Sequence, residues 1–338
     1  MLSWEKLTLK FHNPFHVSYG VSETRDAFWI RLADDQGWGE GTIPPYYRVD
    51  PSAMTDCWKI ASAKPQAYPD EIGEIAAWIP SGPAPARSAI ELALLDRIGK
   101  KRKLPLYQLL DLPKPAALSS CFTIGIEAPA TMASMARKIA DYPLIKLKLG
   151  SEDADDEARV AAVREARPDA RICIDANAGW SAADAIKHIR WLEKYRIELI
   201  EQPCAKDQHE AMGEVQKHTS IPVVADESVQ SLEDVEKLAA AGVKGINLKL
   251  MKLGGVLTAL RCLKRARELK MKIMLGCMIE TSIGTTAMAH LAGLADWLDL
   301  DAPLLISNDP FDGVRFDRNA KISVPDQPGI GAVRKGES

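Results

Sequence analysis

Hydrophobic and polar residues alternate with a regular period over most of this chain. From about residue 116, short apolar runs typical of strands are separated by amphipathic segments of helical period. Helices are predicted at 130–141 and 153–166. The predicted strands are 121–126, 144–149, 171–176, 197–202, 221–227, 244–250, 271–277 and 297–301. The pattern therefore predicts eight strands with seven intervening helices.

Eight parallel strands at this period favour a closed barrel over an open sheet. The first 115 residues differ, because two alternating segments flank an Asp-Gln-Gly turn and a helical segment, ARSAIELALLDRIGKKR, follows. We therefore predict an α/β protein with a TIM-like barrel over 116–310 and an α+β module over 1–115. Residues 311–338, rich in Gly and Pro, are too short to stand alone, and we expect them to complete that module.

Three acids each close an apolar run: Asp175 in RICIDAN, Glu201 in IELIEQP and Asp226 in IPVVADE. Glu201 follows Asp175 by 26 residues, and Asp226 follows Glu201 by 25. One strand-helix unit of a barrel takes about this many residues, so the three carboxylates should meet at the ends of neighbouring strands. Aspartates there also cap helices, but three acids in phase favour a metal site. Oxygen ligands without His or Cys suit Mg²⁺.

Lysines on the second and sixth strands of the barrel are candidate acid-base groups. Alternation along IKLKLG places Lys146 and Lys148 on one face, which is the interior of a barrel, and it places Asn247 and Lys249 inward in INLKL. Strands four apart lie across the barrel axis, so Lys148 and Lys249 should flank the three acids. Lys146 and Lys148 are close together on one strand, and like charge and burial both disfavour an ammonium, so we expect a lysine of this pair to have a pKa nearer neutrality. We expect Lys252, just beyond the sixth strand, to be a solvated loop residue.

This arrangement suits removal of a proton beside a carboxylate. A bound metal stabilises the enediolate charge, one lysine removes the proton, and the other reprotonates from the opposite face. The alternative is a pair of lysines on a solvated strand.

The eighth strand ends in Trp-Leu-Asp-Leu-Asp, which turns Asp299 and Asp301 inward across the barrel from Glu201. At that distance they are not expected to bind the metal, but two acids together would hold a cation. A substrate that spans from the metal to this strand would therefore carry a carboxylate at one end and an ammonium at the other. Alternatively, one aspartate pairs with an Arg or Lys and the other caps a helix.

Composition points to a small-molecule partner. The net charge of −3 and the pI of about 6.1 give no basic surface for nucleic acid. Six cysteines without a CxxC pair indicate reduced, mostly buried thiols. No segment has the pattern of a signal peptide or a membrane span. We therefore expect a cytoplasmic protein with no membrane partner, and, because such barrels often associate, a homo-oligomer.

The ordered motifs KLKLG, DANAGW, EQP, ADES, NLKLMKLGG and MIET, with PGIG near the end, resemble the muconate-lactonizing subgroup of the enolase superfamily. The resemblance spans nearly the whole chain. It implies an α+β capping domain over a modified (β/α)7β TIM barrel, one Mg²⁺ per subunit on Asp175, Glu201 and Asp226, and Lys148 and Lys249 as the acid-base pair. No His-Asp dyad is visible near the seventh strand, which disfavours the mandelate racemase branch.

Within this subgroup, the Asp-x-Asp of residues 299–301 together with MIET is similar to the dipeptide epimerases, whose Asp-x-Asp binds the α-ammonium group of the substrate. The resemblance implies that the metal holds the C-terminal carboxylate of a dipeptide and that its α-proton is transferred. The residues expected to bind the substrate are Lys146, Asp299, Asp301, Glu280, Thr123 and Asn177.

Specificity in this family lies on two loops of the capping domain, here about 16–25 and 43–50. Epimerases that act on Ala-Glu are expected to carry an Arg in the first loop, but Gly20 stands at that place, so the resemblance does not predict Ala-Glu. Arg25 or Arg48 could substitute for it. Tyr19, Tyr46 and Tyr47 could instead line a pocket for an apolar or cationic side chain.

The leading hypothesis is a cytoplasmic, Mg²⁺-dependent dipeptide epimerase that uses a two-lysine 1,1-proton transfer. The first alternative is an N-succinylamino acid racemase or o-succinylbenzoate synthase of the same subgroup, whose substrates lack a free ammonium, so Asp299 and Asp301 discriminate. Two further alternatives are a metal-free Schiff-base aldolase on Lys146 or Lys148, and a barrel that binds a ligand without catalysis.

Overall fold

The N-terminal part of the chain folds into a three-stranded antiparallel sheet with helices against it. The computed structural model describes residues 2–33, 36–65, 67–115, 117–151, 153 and 155–336. Strand β2 lies between β1 and β3. The elements are β1 (Ser3–Val17), β2 (Gly20–Arg31), β3 (Trp38–Thr42), α1 (Pro51–Ser62), α2 (Ile72–Trp78), α3 (Ala84–Arg102) and α4 (Leu106–Leu109). The predicted Asp-Gln-Gly turn includes Asp35, which is outside the described residues.

Strand β3 packs directly on the backbone of α3 because its glycines have no side chain. A Cβ atom on Gly39 would lie 2.0 Å from the carbonyl oxygen of Ala89, and one on Gly41 would lie 2.8 Å from that of Pro85. Between these glycines, Glu40 is completely buried. The alternation of Gly with larger residues therefore fixes the distance between sheet and helix.

The predicted barrel is present, with eight parallel strands hydrogen-bonded in chain order. Ser120 pairs in parallel with Leu298, and the Cys121 amide donates to the Leu298 carbonyl at 2.9 Å, which joins the first strand to the last. The strands are β4 (Phe122–Ile124), β5 (Leu144–Lys148), β6 (Arg171–Asp175), β7 (Ile197–Glu201), β8 (Val223–Ala225), β9 (Gly245–Leu248), β10 (Lys272–Gly276) and β11 (Trp297–Asp299).

Helices cover the barrel between consecutive strands, as the periodicity predicted. They are α5 (Pro129–Lys138), α6 (Asp156–Ala166), α7 (Ala182–Lys194), α8 (His209–Lys217), α9 (Leu232–Ala241), α10 (Leu250–Leu253), α11 (Val256–Glu268) and α12 (Ser282–Ala289). Several barrel strands are shorter than predicted, and the fifth shows the largest difference, Val223–Ala225 rather than 221–227. The sixth ends at Leu248 rather than at 250, because Leu250–Leu253 turns into the short helix α10.

The C-terminal residues pack back on the N-terminal module. The Phe311 ring meets Trp29 and Trp38 edge-on at centroid distances of 5.3 and 5.4 Å. The Ile330 amide donates to Asp96 of α3 at 2.8 Å. The remaining elements are α13 (Ala302–Leu305), β12 (Phe311–Asp312), β13 (Arg315–Phe316), β14 (Ile322–Ser323) and β15 (Val333–Arg334). The domain division at 115/116 stays a prediction, and Ala116 is outside the described residues.

Two loops of the N-terminal module are tied to the mouth of the barrel. The hydroxyl of Ser18, in the turn between β1 and β2, donates to the carbonyl of Asn177 at 2.8 Å. The hydroxyl of Tyr47, after β3, donates to the carbonyl of Glu227 at 3.0 Å. The Asn177 amide group in turn donates to the Glu227 carboxylate at 3.0 Å. Both loops are thus connected to the residues that follow barrel strands β6 and β8.

All six cysteines are buried and unpaired, as the sequence predicted. Among the described residues, the structure contains no helix long and apolar enough to cross a membrane.

Replacing Gly39 with Ala should destabilise the protein, because the new methyl group would collide with the backbone of α3. We expect the free energy of unfolding to fall by about 2 kcal/mol or more, measured by calorimetry. Gly73 in α2 is the matched control, since a Cβ there meets nothing within 4 Å. Gly73→Ala should be neutral or stabilise by about 0.5–1 kcal/mol. Equal melting temperatures for Gly39→Ala and wild type would contradict this packing.

Tyr47→Phe should loosen the loop after β3, because it removes the hydrogen bond to Glu227. One such bond contributes about 1 kcal/mol, so exchange at the hydrogen-bonded amides of Tyr47 and Arg48 should accelerate about fivefold. Hydrogen exchange read by mass spectrometry measures this directly. Tyr19→Phe is the control, because the Tyr19 hydroxyl has no hydrogen-bond partner in the part of the chain that the structure describes. Unchanged exchange in Tyr47→Phe would show that the bond does not hold the loop.

Candidate active site

Three buried carboxylates converge at the carboxyl ends of neighbouring barrel strands. Asp175 and Glu201 are the last residues of β6 and β7 and lie opposite each other in register, and Asp226 follows the last residue of β8. One oxygen from each lies within 4.8 Å of the others. The structure therefore brings together the acids that the spacing singled out, in a group that could hold a metal ion.

The three lysines predicted inward surround these acids. The Lys146 ammonium lies 2.9 Å from Asp175, 2.8 Å from Glu201 and 2.6 Å from Asp299, beneath the cavity. Lys148 contacts the outer acid Asp175 at 2.6 Å, and Lys249 contacts the outer acid Asp226 at 2.7 Å. Lys148 and Lys249 therefore lie on the two sides of the acid group, as the strand order predicted.

The expectation of a lowered lysine pKa is wrong for Lys146, and the pKa of Lys249 is raised as well. Burial lowers the pKa of Lys146, but Asp175, Asp299 and Glu201 together raise it well above its usual value. Burial likewise opposes the charge of Lys249, and Asp226 is the first of the acids that raise its pKa. The prediction considered repulsion between lysines and burial, whereas the acids in contact dominate.

The expectation that Lys252 is a solvated loop residue is also wrong, because its side chain is completely buried. Helix α10 turns it back beneath the end of β8, where its ammonium donates to the carboxylate and the carbonyl of Asp226 and, at 3.0 Å, to the carbonyl of Asn247. Asp226 is therefore held between Lys249 and Lys252, and its pKa is lowered despite its burial. The sequence did not show this because the short helix interrupts the alternation.

Asp299 and Asp301 both face the cavity but have different partners. Asp299 is paired with Lys146, whereas Asp301 accepts from the neutral Thr123 amide at 2.6 Å. Burial and the charge of Asp299 raise the pKa of Asp301 to about 7. The sequence left open that one aspartate pairs with an Arg or Lys while the other caps a helix. The first half of this alternative is present, because Asp299 is paired with Lys146. Asp301 precedes helix α13 but makes no side-chain cap.

The cavity above these groups lies between the barrel mouth and the N-terminal module. Of the predicted substrate contacts, Thr123, Asn177, Asp299 and Asp301 line it, as do Tyr19, Arg25, Tyr46 and Tyr47. Its walls are completed by Phe15, Val17, Ser22, Ile43, Pro44, Pro45, Lys148, Asp226, Glu227, Lys249, Cys277, Met278, Ile279 and Leu305.

Five residues predicted at the site lie outside this lining, and two of them, Asp175 and Glu201, belong to the acid group described above. Lys146 is below the cavity floor and only 1% exposed. Glu280 is behind the wall, where one oxygen accepts from the Met278 amide at 3.1 Å and the other is buried without a hydrogen bond. Arg48 is exposed and does not line the cavity.

Glu227 is a cavity residue that sequence reasoning missed. It is buried, and one carboxylate oxygen has no hydrogen-bond partner in the described structure. Burial and the charges of Asp226 and Asp175 raise its pKa to about 7. The only signal for it was its place directly after Asp226 in ADES.

Comparisons with known proteins place this arrangement in a family. The family Enolase C-terminal domain-like matches residues 130–337. The L-Ala-D/L-Glu epimerase of Bacteroides thetaiotaomicron is 35% identical, over 96% of this chain and 86% of its own length.

Solved structures give the same result. A dipeptide epimerase from Enterococcus faecalis V583, complexed with Mg and the dipeptide L-Leu-L-Tyr, superposes with a TM-score of 0.92 at 30% identity, covering 98% of this chain and 99% of its own. An N-succinyl Arg/Lys racemase from Bacillus cereus superposes with a TM-score of 0.91 at 25% identity, covering 99% of this chain and 95% of its own. This chain belongs to the enolase superfamily and is an isomerase of the racemase and epimerase type.

Proposed function

We propose that the protein is a Mg²⁺-dependent dipeptide epimerase that inverts the α-carbon of the C-terminal residue. The observation that carries the proposal is the placement of Lys148 and Lys249 on two sides of a buried acid group, with Asp301 at one end of the same cavity. The similarity to enzymes named dipeptide epimerases supports it.

The donor set suits Mg²⁺. Asp175, Glu201 and Asp226 offer only carboxylate oxygens, and one oxygen of Glu201 is buried without a hydrogen bond although Lys146 lies 2.8 Å away. When bound, the ion would polarise the substrate carboxylate and stabilise the negative charge that develops on it. Substrate orientation and proton transfer are carried out by side chains of the protein.

The cavity orients a dipeptide by its two charged ends. Its C-terminal carboxylate would lie towards the acid group, and its α-ammonium would lie towards Asp301, whose carboxylate has no cationic partner among the described residues. The α-carbon of the second residue then lies between Lys148 and Lys249.

Inversion requires one neutral lysine and one ammonium. Neutral Lys148 or Lys249 takes the α-proton, and the electron pair of the C–H bond passes into the enediolate. The ammonium of the other lysine then gives a proton to the opposite face. The protonation states of the two lysines are exchanged at the end, and no other reactant is consumed.

An N-succinylamino acid racemase is the alternative that a specific observation favours. The acid group and lysines would serve either reaction, a racemase of that type is among the structural neighbours, and Asp299 is already neutralised by Lys146. An N-succinyl group carries a carboxylate where a dipeptide carries an ammonium, so the charge of Asp301 disfavours it.

The reduced, buried cysteines support the cytoplasmic location predicted from the sequence.

Mg²⁺ should raise the melting temperature of the wild type but not that of Glu201→Gln, which loses one anionic ligand. Binding to the native state alone stabilises by about 2.7 kcal/mol at one hundred times the dissociation constant. Calorimetry with and without Mg²⁺ measures the shift. Glu198→Gln is the control on the same strand, because Glu198 pairs instead with Arg171 and Trp297. An equal Mg²⁺ shift in Glu201→Gln and wild type would remove Glu201 from the metal site.

Lys148→Ala and Lys249→Ala should each lower epimerisation of a dipeptide by about 10²–10⁴-fold, because each removes one acid-base group. In deuterated water with Mg²⁺, each variant should retain exchange of the α-proton for only one epimer, and the two variants for opposite epimers. Proton NMR and chiral chromatography of the products measure exchange and inversion. Lys244→Ala, which removes an exposed lysine directly before β9, is the control. Retention of inversion in either variant would exclude the two-lysine mechanism.

A further inference from the structure

A second cavity lies away from the barrel mouth, where helices α2 and α3 of the N-terminal module face helix α11 of the barrel. Its volume is about 580 Å³, and small-molecule sites in proteins have volumes of roughly 300–1,000 Å³. Among the described residues, it shares no lining residue with the active-site cavity. We call it the α11 pocket, and its charged lining residues are Arg87, Glu91, Arg261 and Lys264.

Three cations line the α11 pocket. Arg87 belongs to α3, whereas Arg261 and Lys264 lie three residues apart on one face of α11. In the described parts of the chain, no carboxylate oxygen lies within ion-pair distance of these three side chains. The Arg261 guanidinium donates to the neutral Thr258 hydroxyl at 3.1 Å. Arg87 is half-buried, so its guanidinium has lost part of its water without gaining a counter-ion.

The other cations of α11 show that the missing partners are a property of the pocket and not of the helix. Arg265 donates to Glu236 and to Glu268 at 2.9 Å each. Arg267 pairs with Asp296 at 2.6 Å. Neither of these two arginines lines the pocket. On α11, therefore, the cations outside the pocket are neutralised by acids and the cations inside it are not.

Glu91 is the one acid in the described lining, and its carboxylate is bound to the backbone. The buried carboxylate accepts from the Leu257 amide, in the first turn of α11, at 2.9 Å. Burial raises the pKa of Glu91 to about 7. Arg87 and Arg261 are both among the groups that oppose this rise, so the two guanidiniums lie near the same carboxylate. The pocket keeps a net positive charge even when Glu91 is ionised.

The rest of the wall is largely apolar. Ile72 and Ile79 line it on the side of α2, and Leu257 and Leu260 line it on the side of α11. The Ser81 hydroxyl, also in the lining, offers one more hydrogen-bond donor. An anion with an apolar portion matches this surface, because its charge can pair with the cations while its apolar part is removed from water.

Among organic anions, a phosphate monoester fits the charge of the pocket best. Three cations and an ionised Glu91 leave a net charge of about +2, and a phosphate monoester carries about −1.5 to −2 at pH 7. A guanidinium also matches two phosphate oxygens with two parallel hydrogen bonds, and two of the three cations are arginines. A single carboxylate would leave about one positive charge uncompensated.

We propose that the α11 pocket is a binding site for a small organic phosphate monoester, with the phosphate group between Arg87, Arg261 and Lys264 and the organic part against Ile72 and Leu257. The ligand would join the N-terminal module to the barrel, because α3 and α11 each supply cations. The site is separate from the active-site cavity, and phosphate binding there takes no part in the epimerisation proposed above.

The test measures binding of phenyl phosphate to the full chain in Mg²⁺-containing buffer by titration calorimetry. We expect a dissociation constant below about 1 mM for the wild type. Inorganic phosphate lacks the apolar part and benzyl alcohol lacks the charge, so each should bind at least about tenfold more weakly. A wild-type dissociation constant above that limit would overturn the proposal, as would equally tight binding of inorganic phosphate or benzyl alcohol.

Substitutions of the cations locate the bound phosphate. Arg87→Met and Arg261→Met should each weaken binding about tenfold, because each removes a charged donor and keeps most of the apolar stem. Lys264→Met removes an exposed charge and should weaken binding up to about fivefold. Arg265→Met is the matched control on α11, since Arg265 is paired outside the pocket, and it should bind as tightly as wild type. Unchanged affinity in Arg87→Met and Arg261→Met would overturn the proposal.

A phosphate bound by a metal ion in the barrel would behave differently. Removing Mg²⁺ with EDTA should leave the affinity for phenyl phosphate unchanged, because the α11 pocket binds the phosphate with side chains alone. Loss of binding with EDTA would place the phosphate on a metal ion and overturn the proposal. No part of this test depends on turnover, so failure of the proposed function would leave its outcome unchanged.

Discussion

Compensation of charge inside the barrel mouth is the constraint on which the rest of the site depends. Asp175, Glu201, Asp226 and Asp299 are all buried, and each ionised carboxylate taken out of water costs several kcal/mol unless a cation lies beside it. Lys146 alone contacts Asp175, Glu201 and Asp299, and these three carboxylates are therefore coupled through one ammonium. Lys148, Lys249 and Lys252 supply the remaining positive charge.

The four lysines that compensate these carboxylates fall into an enclosed pair and a pair that faces the cavity. Lys146 and Lys252 are enclosed, and their contacts hold the carboxylates in place from below and behind. Lys148 and Lys249 face the cavity and contact only the outer acids. A cation entering the acid group would compete with these two for carboxylate oxygens, whereas the enclosed pair would keep its contacts. The barrel thereby separates two enclosed lysines from two lysines that face the cavity.

Much of this could be predicted because it follows from covalent spacing. Strand alternation decides which side chains point inward, and the length of one strand-helix unit decides which acids become neighbours, so Asp175, Glu201 and Asp226 were found from sequence. The lysine pKa could not be predicted, because it depends on the distances of acids from several strands at once. Lys252 was misplaced for a related reason. It lies beyond a strand end, where the direction of the side chain is set by local turns rather than by alternation.

Asp299 and Asp301 differ in how their charges are compensated. Both aspartates lie at one end of the cavity, but Asp299 already shares its charge with Lys146, whereas Asp301 is hydrogen-bonded to the neutral Thr123 and has a pKa raised to about 7. A substrate ammonium next to Asp301 would favour its ionised form and lower that pKa, so binding would release a proton wherever Asp301 is protonated beforehand. The same ammonium would stabilise ionised Asp299 less, because the Asp299 carboxylate is already paired with Lys146. The two aspartates of the Asp-x-Asp sequence therefore differ in their partners, since one is paired with Lys146 and the other is bonded to Thr123, a division that the spacing of two alone does not reveal.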